Sequence, residues 1–94
     1  MAGKEIEQRE IYYSGRVQGI GFRYTARAIA AGHRLTGFVR NLPDGRVHLI
    51  VEGVPDEVQV FIESLETEMG GYIKDAQVSV RPATGRFQGF EIRF

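Results

Sequence analysis

Residues 36–52, Thr36-Gly37-Phe38-Val39-Arg40-Asn41-Leu42-Pro43-Asp44-Gly45-Arg46-Val47-His48-Leu49-Ile50-Val51-Glu52, hold two β-rich runs around a turn. Thr36 to Arg40 is rich in β-branched and aromatic types, which suit a pleated surface. In Leu42-Pro43-Asp44-Gly45 the proline presets φ and the glycine accepts a positive φ. Val47 to Glu52 supplies the return strand, so the segment reads as a hairpin.

A helix is predicted on each side of it. Upstream, Phe22, Ala26, Ile29 and Ala30 recur at helical spacing, and Gly32 is a stop signal. Downstream, Pro55 suits a first helical turn, and Asp56 and Glu57 sit at the positive end of the helix dipole. Val58, Phe61, Ile62, Leu65 and Met69 then build one apolar face, and Gly70-Gly71 ends it. Strands flank the helices in turn. Arg9 to Tyr13 alternates. Ala76, Val78 and Val80 alternate with Gln77, Ser79 and Arg81. Past a turn at Pro82 to Arg86, Phe90, Ile92 and Phe94 alternate with Glu91 and Arg93. The order is βαββαβ plus a C-terminal strand. Two right-handed βαβ crossovers joined by a hairpin predict an α+β, ferredoxin-like split βαβ sandwich. Both helices then cover one face of an antiparallel sheet.

The chain has 94 residues and a mass of 10.6 kDa, the size of one domain. We expect a flexible N-terminal segment over residues 1–8 and a folded domain over 9–94. There is no cysteine, which excludes disulfides, thiolate zinc sites and a cysteine nucleophile. Acidic and basic residues balance at twelve each, so no global field attracts nucleic acid or an anionic membrane. No apolar run is long enough to span a bilayer, and a cytoplasmic protein is expected.

The run Gly15-Arg16-Val17-Gln18-Gly19-Ile20-Gly21-Phe22-Arg23 joins the first strand to the first helix. Its glycines allow successive backbone N–H groups to turn inward around an anion. The helix start adds unpaired N–H groups and a positive dipole end. Arg23 can lay a guanidinium fork over that cradle. The pattern alone also fits a tight strand–helix turn with a surface arginine. It is neither a nucleoside-triphosphate loop, since no Lys-Ser/Thr follows the glycines, nor a dinucleotide fingerprint, since the third glycine is missing. Asn41 closes its strand beside a loop. Its carboxamide can accept from water while donating to an anionic oxygen, or simply bond the turn. Arg40 falls on the opposite strand face, as a solvated or cross-strand charge.

The remaining polar residues carry less. His33 and His48 have no partner at ligand spacing and read as ordinary surface or hairpin histidines, so no metal is expected. Ser14 and Ser64 have no adjacent base. Glu63, Glu66 and Glu68 read as the solvated face of the second helix. The six phenylalanines read mostly as core.

Taken together, Ser14-Gly15-Arg16-Val17-Gln18-Gly19-Ile20-Gly21-Phe22-Arg23 and Gly37-Phe38-Val39-Arg40-Asn41, followed by Gly45, Val47 and Gly53, resemble the two signatures of the acylphosphatases. The closing Gly89-Phe90-Glu91-Ile92-Arg93-Phe94 is similar to the family's end. The resemblance spans about residues 9–94. Ile20 stands where valine is usual, Phe38 where tryptophan is common, and Met69 to Asp75 lacks the proline-rich wording often found there. The resemblance implies hydrolysis of small acyl phosphates to carboxylate and inorganic phosphate, without metal, cofactor or phosphoenzyme. It implies that Val17, Gln18, Gly19, Ile20, Gly21 and Phe22 form the phosphate-binding loop. Arg23 would bind the phosphoryl oxygens and Asn41 would orient the attacking water.

Two readings of other classes compete. A non-catalytic anion-binding regulatory domain could use the same cradle. An RNA-recognition module shares the element order, but the strand Arg46 to Glu52 has no aromatic and the charge is zero. A relative of the acylphosphatase-like domain of hydrogenase-maturation carbamoyltransferases would act on carbamoyl phosphate. We expect a monomer with a small-molecule substrate, no nucleic acid and no membrane partner. The Phe94 carboxylate is a candidate brace for Arg23.

Overall fold

The computed structural model describes residues 5–94. Its elements run β1 (Glu7–Gly15), α1 (Phe22–Ala30), β2 (Thr36–Asn41), β3 (Val47–Gly53), α2 (Pro55–Met69), β4 (Ile73–Pro82) and β5 (Phe90–Arg93). The sheet order is β4-β1-β3-β2-β5. Two helices on a sheet of split βαβ topology match the expected sandwich. The sheet is mixed, however, and not antiparallel throughout. Three pairings are antiparallel, but β5 lies parallel to β2, pairing Gly37 with Phe90 and Arg40 with Arg93.

The parallel pairing follows from the route of residues 83–89. They carry the chain from β4 at one edge to β5 at the other, so β5 starts from the end of the sheet where β4 stops. Glu52 holds this crossover. Its carboxylate is buried, with the residue only 2% exposed. Oε2 accepts from Gln8 Nε2 at 2.7 Å and from the Thr84 backbone N–H and hydroxyl, both at 2.9 Å; Oε1 accepts from Gly85 N–H at 3.0 Å. Burial alone would raise the Glu52 pKa. The bonds from Thr84, Gln8 and Gly85 outweigh it and hold the carboxyl below the ordinary carboxylate range. A depressed native pKa adds stability above the unfolded value of ~4.3 and loses it as pH falls through the native value. Glu52→Gln is therefore expected to cost about 2–3 kcal/mol at neutral pH and to flatten the loss of stability in acid. Urea midpoints between pH 3 and 7 test this; parallel curves for the two proteins would overturn it.

The core lies between the sheet and the helices. Ile11 and Tyr13 of β1, Val39 of β2 and Val47, Leu49 and Val51 of β3 meet Phe22, Ala26 and Ala30 of α1 and Val58, Phe61, Ile62, Leu65 and Met69 of α2. Phe90 and Ile92 of β5 pack against them, with the Phe90 ring 5.6 Å from that of Phe61. Each fully buried aliphatic or phenylalanine side chain contributes roughly 1.5–3 kcal/mol. Gly37 marks a close approach. Its φ is +139°, and a Cβ there would lie 2.8 Å from the Ile50 carbonyl carbon.

Several sequence expectations change. β1 begins at Glu7, so Glu7 and Gln8 belong to the sheet, while the part of the N-terminal expectation on residues 1–4 lies outside the described residues. β4 begins at Ile73, because Asp75 pairs with Ser14 and Ile73 with Gly15 past the alternating run, with Lys74 skipped at the register shift. Glu66 is exposed, as expected, but also accepts from the Tyr13 hydroxyl at 3.0 Å, and burial together with this carboxylate raises the Tyr13 pKa. His48 is buried, not a surface histidine: it stacks on Tyr12 at 4.5 Å and meets the edge of Phe38. Its Nδ1 accepts from Arg40 Nε at 3.1 Å, so Nε2 carries the proton and donates to Glu10 at 2.7 Å. Burial is the main cause holding the His48 pKa below the usual imidazole value, with Arg40 adding to it. Arg40 is thus the cross-strand charge expected.

Candidate active site

β1, β2 and β5 all run toward the same end of the sheet, and the candidate site forms there. β1 delivers Gly15, where a register shift breaks its ladder with β4 and releases the chain into the loop. Arg16 N–H donates to the Tyr72 carbonyl at 2.9 Å and pins the loop's start. From Val17 to Gly21, no backbone N–H donates to a protein acceptor among the described residues. The first helical bond is Thr25 N–H to the Gly21 carbonyl at 2.9 Å, so the first turn of α1 also leaves its N–H groups unpaired. Gly19 and Gly21 have φ of +78° and +82°, where a side chain is strained although a Cβ would meet nothing within 4 Å. Glycine is demanded there by backbone conformation, not by room.

Val17, Gly19, Gly21, Phe22 and Arg23 line a small cleft of about 80 Å³ together with Asn41 and Tyr24. Val17 and Phe22 also reach into the core, with the Phe22 ring 5.3 Å from that of Tyr13. They anchor the loop from below. Ile20 packs partly buried against the core and does not line the cleft. Gln18 points elsewhere. Its Nε2 donates to the carbonyls of Leu42 at 2.8 Å and Arg46 at 2.9 Å. Those carbonyls flank the β2–β3 turn, and Leu42 directly follows Asn41. Gln18 therefore ties the loop to the hairpin that carries Asn41.

Arg23 is half-buried in the first turn of α1. Its guanidinium carbon lies 4.8 Å from the centroid of the Phe94 ring. Among the described residues no ion pair joins Arg23 to a carboxylate, so the ring of Phe94, rather than its carboxylate, braces this arginine. This cation–π contact uses none of the guanidinium's hydrogen-bond donors, so they stay available to an anion. Phe94 reaches Arg23 because it follows the Arg40–Arg93 pair, just as Asn41 does on β2. Tyr24 was missed from sequence; its one signal was its place beside Arg23 at the helix start.

A larger open groove of about 740 Å³ lies at the other end of α1, where His33 Nδ1 and Glu57 sit 3.0 Å apart. Its lining carries Asp56 and Glu57 at the start of α2, whose carboxylates disfavour an anion. Among the described residues no cluster of three or more His, Cys, Asp or Glu could hold a metal ion.

Comparison with known proteins assigns the family. The acylphosphatase family model matches residues 9–92. The chain belongs to the acylphosphatase family. It is 46% identical to an acylphosphatase of Methanospirillum hungatei, over 72% of this chain and 75% of that one. It is 37% identical to an acylphosphatase of Nostoc, over 95% of this chain and 88% of the relative. The crystal structure of the Bacillus subtilis acylphosphatase superposes with a TM-score of 0.84 at 31% identity, covering 94% of this chain and 99% of that one. Membership places this chain among the hydrolases. No helix among the described residues is long and apolar enough to cross a membrane.

Proposed function

We propose that this protein cleaves the carboxyl–phosphate bond of small acyl phosphates by direct attack of water on phosphorus. One observation carries the reading: Arg23, Asn41 and a loop of unpaired backbone N–H groups meet at one phosphate-sized cleft. The amides from Val17 to Phe22 and the Arg23 fork hold the phosphoryl oxygens. Asn41 accepts a hydrogen bond from the water and turns its lone pair to phosphorus. The new P–O bond forms as the bond from phosphorus to the bridging oxygen breaks. The bridging oxygen leaves as a carboxylate, and a phosphate oxygen takes the water's proton.

The chemistry matches the residues. A carboxylate leaving group has a conjugate acid of pKa ~4, so it departs unprotonated at neutral pH. Positioning and charge stabilisation then carry phosphoryl transfer without a general acid. In H₂¹⁸O with excess chelator, turnover of benzoyl phosphate is expected to place the label in phosphate alone. Label in benzoate would mean attack at carbon and would overturn the mechanism. Binding of phosphate without any turnover would favour the regulatory alternative.

Gln18 acts in this scheme as a positioning residue through Asn41. Gln18→Ala removes two neutral hydrogen bonds and is expected to lower kcat about tenfold, with inhibition by inorganic phosphate nearly unchanged. Gln18→Glu, which lacks the N–H donors, is expected not to restore kcat. Equal losses in kcat and phosphate affinity would mean that Gln18 supports the cradle and not the hairpin.

A further inference from the structure

The cleft is too small for more than the phosphoryl group, so the acyl group of a bound substrate must lie at its mouth. Two large aromatic side chains stand beside Arg23, a lining residue of the cleft, and one of the two lines it as well. Tyr24 lines the cleft yet is 53% exposed, since α1 buries Phe22 and Ala26 instead. Phe94 is 92% exposed, with its ring against the Arg23 guanidinium. Neither ring serves the core. The Arg27 guanidinium lies 5.3 Å from the Tyr24 ring centroid, one turn along α1, and braces that ring. Held aromatic rings offer broad apolar contact at little entropic cost.

We infer that Tyr24 and Phe94 form an acyl-recognition rim that selects acyl phosphates with planar, apolar acyl groups, aromatic ones above all, over short ones. The inference rests on the proposed acyl phosphate hydrolysis. A flat acyl group anchored through its phosphate covers ring surface that is otherwise wet. A methyl group reaches little of it. Arg27 keeps its charge over the Tyr24 ring, so the rim is aromatic with one cation at its edge.

Acylphosphonates separate this inference from the question of turnover, because their C–P bond is not cleaved by attack on a bridging P–O bond. Calorimetric titration would compare benzoylphosphonate, acetylphosphonate and inorganic phosphate. The native chain is expected to bind the benzoyl compound roughly tenfold more tightly than the acetyl one, in line with aromatic pairing. Tyr24→Ala and Phe94→Ala are each expected to reduce this ratio about threefold, and the double variant to bring it near one. Using the ratio cancels any change in Arg23 orientation caused by losing the Phe94 ring. Equal affinities in the native chain, or a ratio unmoved in the double variant, would overturn the rim while leaving the cradle intact. A preference that falls in Arg27→Ala but persists in the double variant would reassign recognition to Arg27 and overturn it too. Failure of all three anions to bind would overturn the phosphate cradle itself, and the rim with it.

Discussion

Arg23→Ala is expected to lower kcat/KM for benzoyl phosphate by about 10³-fold or more, and to weaken inhibition by inorganic phosphate by at least roughly 100-fold. Arg23 combines a fixed place at the N-terminus of α1 with a cation–π contact between its guanidinium and the Phe94 ring. Its planar donors are thereby aimed before substrate arrives, and an aimed bidentate charge loses little entropy on binding. Alanine leaves the helix start and loop amides in place, so the fold is expected to keep its melting temperature within a few degrees. Arg23→Lys should restore charge but not the fork, and so recover only part of the phosphate affinity. Phosphate inhibition that survives intact in Arg23→Ala would remove the arginine from the cradle.

Asn41→Ala is expected to divide the kinetic constants differently. Turnover should fall by about 10²–10³, the usual loss on removing one positioning hydrogen bond from a preorganised site. Inhibition by inorganic phosphate should stay within about threefold, because the loop amides and Arg23 remain. The split follows from geometry. Asn41 lines the cleft from the end of β2, while the proposed cradle lies in the β1–α1 loop and the start of α1. Asn41→Asp adds an anion beside the phosphoryl oxygens and is expected to lose both turnover and phosphate affinity. A loss of affinity with turnover preserved in Asn41→Ala would overturn the water-orienting role.

Much of the fold was legible because its signals are local. The apolar spacing of Val58, Phe61, Ile62, Leu65 and Met69 specifies a helix face wherever it occurs, and all five side chains are buried. Pro43-Asp44-Gly45 specifies a turn through backbone φ, and Gly45 takes φ of +96°. The loop from Gly15 to Arg23 was legible for the same reason, since positive φ at Gly19 and Gly21 is written in the residue type. Hidden from such reading were polar residues whose partners lie far along the chain. Glu52 binds Gln8 and Thr84, 44 and 32 residues away. His48 is paired with Glu10 across 38 residues, and Tyr13 with Glu66 across 53. A glutamate or histidine on a strand carries no local mark of burial, so Glu52 drew no role from sequence and His48 read as an ordinary surface or hairpin residue, whereas both are buried.

The sequence by itself determined the elements, the hairpin, the glycine-rich loop and the family signatures, because each depends on residue type at short spacing. Only the tertiary structure decided where β5 lies. Parallel pairing with β2, held through the Glu52 crossover clasp, carries Phe94 past the Arg40–Arg93 pair to the end of the sheet where Asn41 stands. A long-range strand pairing brings that ring onto Arg23, and no periodicity in the chain records which edge of the sheet the last strand will choose.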